Sequence, residues 1–285
     1  MKYLIIGSSG FLGGVFISRI MNSKSTLMFQ EFDLPNDICK INSTIFDEYN
    51  FDICVHFAAI ANLNDSIADQ DKNFKVNIRG TYEVAKFCAK NNIPLVFIST
   101  CCVYGDSIDE IEFEESTVPK TREPYACSKM AGEYILHGMP DLQYCILRIG
   151  TVYGEGMRKE LFNYIVFNKI INDEIIKVNG DGTQERSYIF IDDLIEGIYL
   201  ACQNFHNIKG ETINLCGSES ISVNKTIQIA SEITGKSYMA EYDNERYGDF
   251  QKEEISIEKA GKLLHWQPKI KYIDGMKRVY EWLKH

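Results

Sequence analysis

Two groups of residues in this chain of 285 residues have the types and spacing to do chemistry. Gly7-Ser-Ser-Gly10-Phe-Leu-Gly13 follows the apolar run Tyr3–Ile6, and Tyr125-Ala-Cys-Ser-Lys129 lies near the middle. A glycine turn between a strand and a helix offers backbone N–H groups and the positive end of the helix dipole, which suits a pyrophosphate. A tyrosine and a lysine four residues apart share one face of a helix. An ammonium near the phenol, with the positive nicotinamide of an oxidised dinucleotide, would favour phenolate. That would bring a group of ordinary pKa ~10 into use as a base near neutrality. The two groups together point to redox chemistry on an alcohol.

In the first group, Gly7, Gly10, Phe11, Leu12 and Gly13 are the candidate cofactor contacts. The spacing is GxxGxxG rather than the more common GxGxxG. An acidic residue about 20 positions further on usually takes the adenosine ribose. Glu31 and Asp33 both qualify, and Asp33-Leu34 could instead meet the adenine edge. Either carboxylate repels a 2′-phosphate, which favours NAD, with NADP as the alternative. Thr100 closes the apolar run Leu95–Ile98 and its hydroxyl pair, Ser99-Thr100. Its side chain is placed to hydrogen-bond the reacting oxygen and share the proton with Tyr125.

These groups need a scaffold. Apolar runs at Tyr3–Ile6, Thr26–Phe29, Ile53–Phe57, Leu95–Ile98 and Cys145–Ile149 read as strands covered on both faces. Helical patterns at Phe11–Met21, Phe74–Asn91 and Tyr125–His137 alternate with them, and Pro124 marks the start of the last. Such alternation predicts an α/β fold, a Rossmann-type doubly wound parallel sheet. After residue 150 the texture changes. Asp192-Asp193 should cap a helix over Leu194–Cys202, Ser222 should open another, and Asp274–Leu283 is amphipathic. We expect a dinucleotide domain over 1–152 plus about 187–215, and a smaller mixed α/β substrate domain over about 153–186 and 216–285.

The net charge of −10 argues against nucleic acid or an anionic membrane as partner. No run approaches the ~20 apolar residues of a membrane helix. The nine cysteines are scattered without a CxxC pair, which predicts reduced thiols, no metal site and a cytoplasmic protein.

The ordered set Gly7-x-x-Gly10-x-x-Gly13, His56-Phe-Ala-Ala59, Asn77-Ile-Arg-Gly-Thr81, Ser99-Thr100, Val103-Tyr-Gly105, Tyr125-x-x-x-Lys129 and Leu147-Arg148 resembles the extended short-chain dehydrogenase/reductase family. It is most similar to the NAD-dependent nucleotide-sugar epimerases and dehydratases. Val152-Tyr-Gly154, Gly180-Asp-Gly-Thr-Gln-Glu-Arg186, Tyr188-Ile-Phe-Ile-Asp-Asp193 and Leu264-His-Trp266-x-Pro268 extend the likeness to nearly the whole chain.

The resemblance implies Thr100, Tyr125 and Lys129 as the catalytic set, with Lys129 also on the nicotinamide ribose. It implies Phe57, Ala58 and Ala59 along the cofactor, and Arg186 and Arg246 on the substrate pyrophosphate. It further implies a nucleoside diphosphate sugar as substrate and a homodimer. Two positions depart from the pattern. Cys101-Cys102 stand where 4,6-dehydratases carry an Asp-Glu acid/base pair, which disfavours dehydration. Thr151 stands where an asparagine often contacts the sugar. The expected activity is 4-epimerisation through transient oxidation at carbon 4. The alternatives are an NAD(P)H-dependent 4-keto-6-deoxy sugar nucleotide reductase and a non-catalytic dinucleotide-binding protein.

Overall fold

The computed structural model describes residues 1–21, 29–32 (backbone only), 50–106, 112–244 and 251–285. Among them a six-stranded parallel sheet runs in the order β2-β1-β3-β4-β5-β9. Its strands are β1 (Tyr3–Ile6), β2 (Phe29–Phe32), β3 (Ile53–His56), β4 (Leu95–Thr100), β5 (Tyr144–Ile149) and β9 (Thr212–Leu215). β2 and β3 lie on opposite sides of β1, so the direction of winding reverses there. In such sheets ligands bind outside the carboxyl ends of the strands at that reversal.

The strands are apolar throughout because both faces are covered. Tyr3, Ile5, Val55, Val96, Ile98 and Leu147 pack with Phe16 and Ile20 of α1 (Phe11–Met21) and with Leu194, Ile195 and Ile198 of α7 (Ile191–Gln203). Leu4, Ile6, Cys54, Leu95, Phe97 and Ile146 face the other way. They pack with Val84, Ala85 and Cys88 of α4 (Gly80–Lys90) and Leu136 of α5 (Pro124–His137). The alternation is the period-2 geometry of a strand.

The second half builds two smaller sheets. One is β10-β8-β6, from β6 (Thr151–Tyr153), β8 (Glu185–Phe190) and β10 (Ser220–Ser222). The other pairs β7 (Ile176–Asn179) with β11 (Ala240–Asp243). Around them lie α6 (Phe162–Ile171), α9 (Val223–Thr234) and α11 (Tyr272–Leu283), with α10 (Glu258–Leu264) against α7 and β9. Three segments cross at Gly150, where a Cβ would lie 2.5 Å from the Ser187 carbonyl oxygen and 3.1 Å from Cys216 Sγ. No helix among the described residues is long and apolar enough to cross a membrane.

The parallel doubly wound sheet bears out the expected fold class, with differences at particular elements. β2 starts at Phe29, where the expected Thr26–Phe29 run ends, so Glu31 lies within the strand, paired with Ile5. The helix expected over Phe74–Asn91 is broken into α3 (Gln70–Phe74), a π turn (Lys75–Arg79) and α4. Asp192 and Asp193 do not cap α7; they occupy its first turn, where carboxylates favour the dipole. The Asp193 carboxylate instead accepts the Lys269 and Ile270 amides at 2.9 and 2.8 Å, and its carbonyl accepts Trp266 Nε1 at 3.0 Å. The Leu264–Pro268 stretch is therefore a clasp onto α7. Ser222 does cap α9, accepting the Lys225 amide at 3.1 Å. β9 was not named as a strand, though its segment was expected in the dinucleotide domain; it completes the large sheet, with 62 residues between the end of β5 and its start.

Candidate active site

The glycine loop joins β1 to α1 at the carboxyl edge of the sheet. Gly7 has φ +94°, a region open to glycine, and a Cβ there would lie 2.6 Å from the Ala58 nitrogen. A Cβ on Gly13 would run into the Gly7 carbonyl oxygen, so the first turn of α1 sits directly against the loop. The Gly10 amide donates to Gly7 O at 3.3 Å, and Ser9 and Gly10 are exposed. The first turn of α1 carries no acidic residue and holds Phe11 and Leu12, both half-buried. Its amides have no acceptor within the helix, which leaves an uncovered donor-rich edge.

Phe57 and Ala58 follow β3 into the same edge, their amides donating to Ile6 O at 2.8 and 3.0 Å. The Phe57 ring packs on Phe16, with centroids 5.4 Å apart. Ala59 is half-buried beside them. Glu31 is described as backbone only, while Asp33, Leu34 and Arg246 lie outside the described residues.

Thr100 and Tyr125 meet. Thr100 ends β4, its Oγ1 accepts the Cys102 amide at 3.2 Å, and its side chain lies near enough to the Tyr125 phenol to favour the phenolate. Pro124 occupies the first turn of α5, and Glu123 caps it by accepting the Tyr125 and Ala126 amides, each at 2.6 Å. Burial raises the Tyr125 phenol above its ordinary value, and Cys102 and Glu123 push the same way. The Thr100 side chain and Arg158 oppose them. The lowering expected from Lys129 is therefore not what the protein's own groups produce. The Lys129 ammonium lies over the Phe97 ring, 4.0 Å from its centroid.

Lys129 is buried, which lowers its pKa to about 7 against the pull of Glu133. His56 is lowered to about 3, first by burial and then by Lys129. Thr81 Oγ1 donates to Asn77 O at 2.6 Å and so is left to accept from His56 Nε2 at 3.2 Å, which puts the imidazole proton on Nε2. His56 Nδ1 has no partner among the described residues.

Thr151 opens β6 and is half-buried. Arg186 lies in β8, donates from Nη1 to Glu185 O at 2.8 Å, and acts electrostatically on Cys102. The glycine loop, residues 57–59, Thr100 and Tyr125 thus lie at one edge of the large sheet, with Lys129 one turn on from Tyr125 in α5, while Thr151 and Arg186 stand in the smaller β10-β8-β6 sheet, Arg186 close enough to act on Cys102.

Several residues at this edge escaped the sequence reasoning. Asn77, in the π turn, accepts the Ile60 amide at 2.8 Å and donates to Ser128 Oγ at 2.9 Å, and Ser128 donates to Tyr125 O. It thereby ties the segment after β3 to the tyrosine helix. The Asn77–Thr81 motif marked the place but not the role. Glu123 was legible as the residue before Pro-Tyr. Arg158 had no local signal, and Cys102 was marked only as a departure from the dehydratase pattern. No group of three or more His, Cys, Asp or Glu side chains among the described residues could hold a metal.

Comparison with known proteins matches this arrangement. A UDP-glucuronate 4-epimerase of Thermodesulfobacterium geofontis is 30% identical over 269 residues, spanning 93% of this chain and 81% of that protein. A dTDP-glucose 4,6-dehydratase of Haemophilus influenzae is 26% identical, spanning 99% and 97%. The crystal structure of UDP-glucuronic acid 4-epimerase from Bacillus cereus, in complex with UDP-glucuronic acid and NAD, superposes with a TM-score of 0.91. It is 26% identical and covers 100% of this chain and 99% of that one. The model of the NAD-dependent epimerase/dehydratase family matches residues 3–216, three quarters of the chain. The chain belongs to the NAD-dependent epimerase/dehydratase family.

Proposed function

We propose that this protein is an NAD-dependent 4-epimerase of nucleoside diphosphate sugars, with a hexose or hexuronic acid as the sugar. The observation that carries the reading is Thr100 at the end of β4, beside the Tyr125 phenol of α5, at the same sheet edge as a glycine loop whose Ser9 and Gly10 are exposed. The 4-epimerase relatives, one of them in complex with NAD and UDP-glucuronic acid, support it. The residues fit a dinucleotide: the close approach of Gly13 to Gly7 sets the first turn of α1 against the loop, Ser9 and Gly10 are exposed, and no carboxylate in that turn opposes a phosphate.

In this reading a bound NAD would supply hydride acceptance and return for carbon 4. Tyr125 accepts the proton of the 4-hydroxyl at its phenol oxygen and later gives it back. Thr100 orients that oxygen from its place beside Tyr125. Lys129 supplies a cation on the same helix face and bonds the nicotinamide ribose. The protein's own groups leave the Tyr125 phenol high, so phenolate at neutral pH needs added positive charge. Gly7, Gly10, Phe11, Leu12 and Gly13 would hold the pyrophosphate of NAD, and Phe57, Ala58 and Ala59 would line its ribose and nicotinamide. Arg186 holds the sugar nucleotide by its phosphates, a fork geometry suited to them, so that the keto sugar can turn without leaving. Thr151 contacts the sugar. Cys101 and Cys102 cannot supply the acid/base pair of dehydration. Burial and Glu253 hold the Cys102 thiol up at about 12.

We assign NAD binding to 1–152 with about 187–215, and the sugar nucleotide to about 153–186 with 216–285. We further propose a cytoplasmic homodimer paired through α4 and α5, where Tyr134 is exposed. The test is Tyr125→Phe, assayed for epimerisation of UDP-glucose and UDP-glucuronic acid with bound NAD measured after denaturation. The expected result is a rate ~10²–10⁴-fold lower with NAD unchanged. A fully active variant refutes the reading. Wild-type protein that consumes NAD(P)H on 4-keto sugars, and does not epimerise, would make it a reductase.

A further inference from the structure

Behind the Thr100–Tyr125–Lys129 cluster lies a buried charged network that the mechanism does not use. Glu133 follows Lys129 by four residues, one turn further along the same face of α5, and is fully buried. Its carboxylate accepts Ser99 Oγ at 2.5 Å, Arg148 Nε at 3.1 Å and Arg148 Nη2 at 2.7 Å. Ser99 and Arg148 are register partners on β4 and β5. Ser99 immediately precedes Thr100. Gly132 lets the helix come down onto β4, since a Cβ there would lie 2.8 Å from Phe97 Cζ. The Arg148 guanidinium stacks over the Tyr104 ring, 4.8 Å from its centroid, and the Tyr104 hydroxyl donates to Asn214 at 2.8 Å.

Stability alone gives little reason for this network. Desolvating a carboxylate and a guanidinium offsets most of their attraction, and well-packed apolar side chains of similar volume often serve a fold as well or better. Arg148 Nη1 also has no partner among the described residues, so the network is not fully satisfied. What the ion pair does that apolar side chains cannot is set direction. It joins the strand that ends in Thr100 to the helix that carries Tyr125 and Lys129.

We propose that Glu133 is a positioning residue for the reaction, clamping α5 to β4 through Ser99 and Arg148 and giving the Lys129 ammonium its counter-charge. The inference rests on the site assigned above. The groups facing Lys129 are His56 from β3, held neutral, and Glu133 from its own helix, with the Phe97 ring from β4 beneath it. Arg148 from β5 and Tyr104 lie beyond Glu133. Of these, Glu133 alone pulls the Lys129 pKa upward.

The experiment is the double variant Glu133→Leu/Arg148→Met, which removes both charges together and leaves no lone buried ion. A purely structural pair would be replaced without loss. A positioning role predicts kcat down about tenfold or more, through misplacement of the proton-transfer groups, with KM for the sugar nucleotide little changed. It also predicts that the basic limb of the kcat profile moves to lower pH, because Lys129 loses the carboxylate that favours its charged form. A folded double variant with wild-type kcat and pH profile overturns the proposal. If the double variant does not fold, Ser99→Ala cuts only the link from Glu133 to β4. It should lower kcat in the same direction, and wild-type kcat there overturns the clamp. An active Tyr125→Phe variant would instead overturn the site assignment itself, so the two failures are separable.

Discussion

Replacing Lys129 by methionine should abolish activity and make the protein more stable. The ammonium is 2% exposed, and its pKa falls from 10.5 to about 7 because burial outweighs the attraction of Glu133. Between those two values the unfolded chain binds more protons than the folded one, so stability rises with pH across the window. It is lowest below pH 7, where Lys129 is charged in both states. At about 1.36 kcal/mol per pKa unit, a charged Lys129 costs the ligand-free fold about 4 kcal/mol at neutral pH. Methionine keeps the apolar stem against Phe97 but gives up the cation–π contact, about 1–2 kcal/mol for a desolvated pair. The net gain is about 2–3 kcal/mol at pH 7, and it should vanish towards pH 10.5. His56, lowered to about 3, adds a slope of the same sign only below its ordinary value of 6.5. The buried thiols, raised above 9.0, give both proteins the same opposing slope near pH 10, so the gap between the two proteins from pH 7 to 10 reports Lys129. The assay is urea unfolding of both proteins, free of ligand, across that range, with cofactor-dependent turnover measured alongside. A methionine variant less stable than wild type at pH 7, or a stability gap that does not change with pH, would refute the reasoning.

Two further outcomes follow from other parts of the fold. Gly13→Ala places a Cβ against the Gly7 carbonyl oxygen. The loop must shift, and NAD affinity should fall at least tenfold by calorimetric titration, roughly the effect of losing one good hydrogen bond to a charged group. Asp193→Ala leaves the Lys269 and Ile270 amides without their acceptor. Unfolding free energy should drop by about 2–4 kcal/mol, for two partly buried donors left unmade, with the urea midpoint as the readout.

The parts of this protein that were legible before folding are those whose physics is local. The glycine spacing reports what a strand-to-helix turn requires of its backbone, and the positive φ of Gly7 and the packing of Gly13 agree with it. The four-residue spacing of Tyr125 and Lys129 follows from helical pitch, and Pro124 marked the start of α5. Continuous apolar runs at β1, β3, β4 and β5 foretold strands covered on both sides. The edge strand β9 reads Thr-Ile-Asn-Leu, its apolar run broken by Asn214, and it joins the sheet through β5 alone, so no continuous apolar pattern announced it.

What the tertiary structure alone decided depends on partners far apart in the chain. The Asp193 carboxylate looked like a helix cap, yet it serves a segment more than seventy residues later, because the clasp brings those two part-buried amides within reach of it. Asn77 joins the end of β3 to α5, and Glu133 joins β4 and β5 to the same helix. The electrostatic state of the centre is likewise collective. Sequence reasoning had Lys129 lowering Tyr125. Burial instead raises the phenol and lowers the ammonium, because the cost of removing a charge from water is set by the whole surrounding fold and not by the neighbour one turn away.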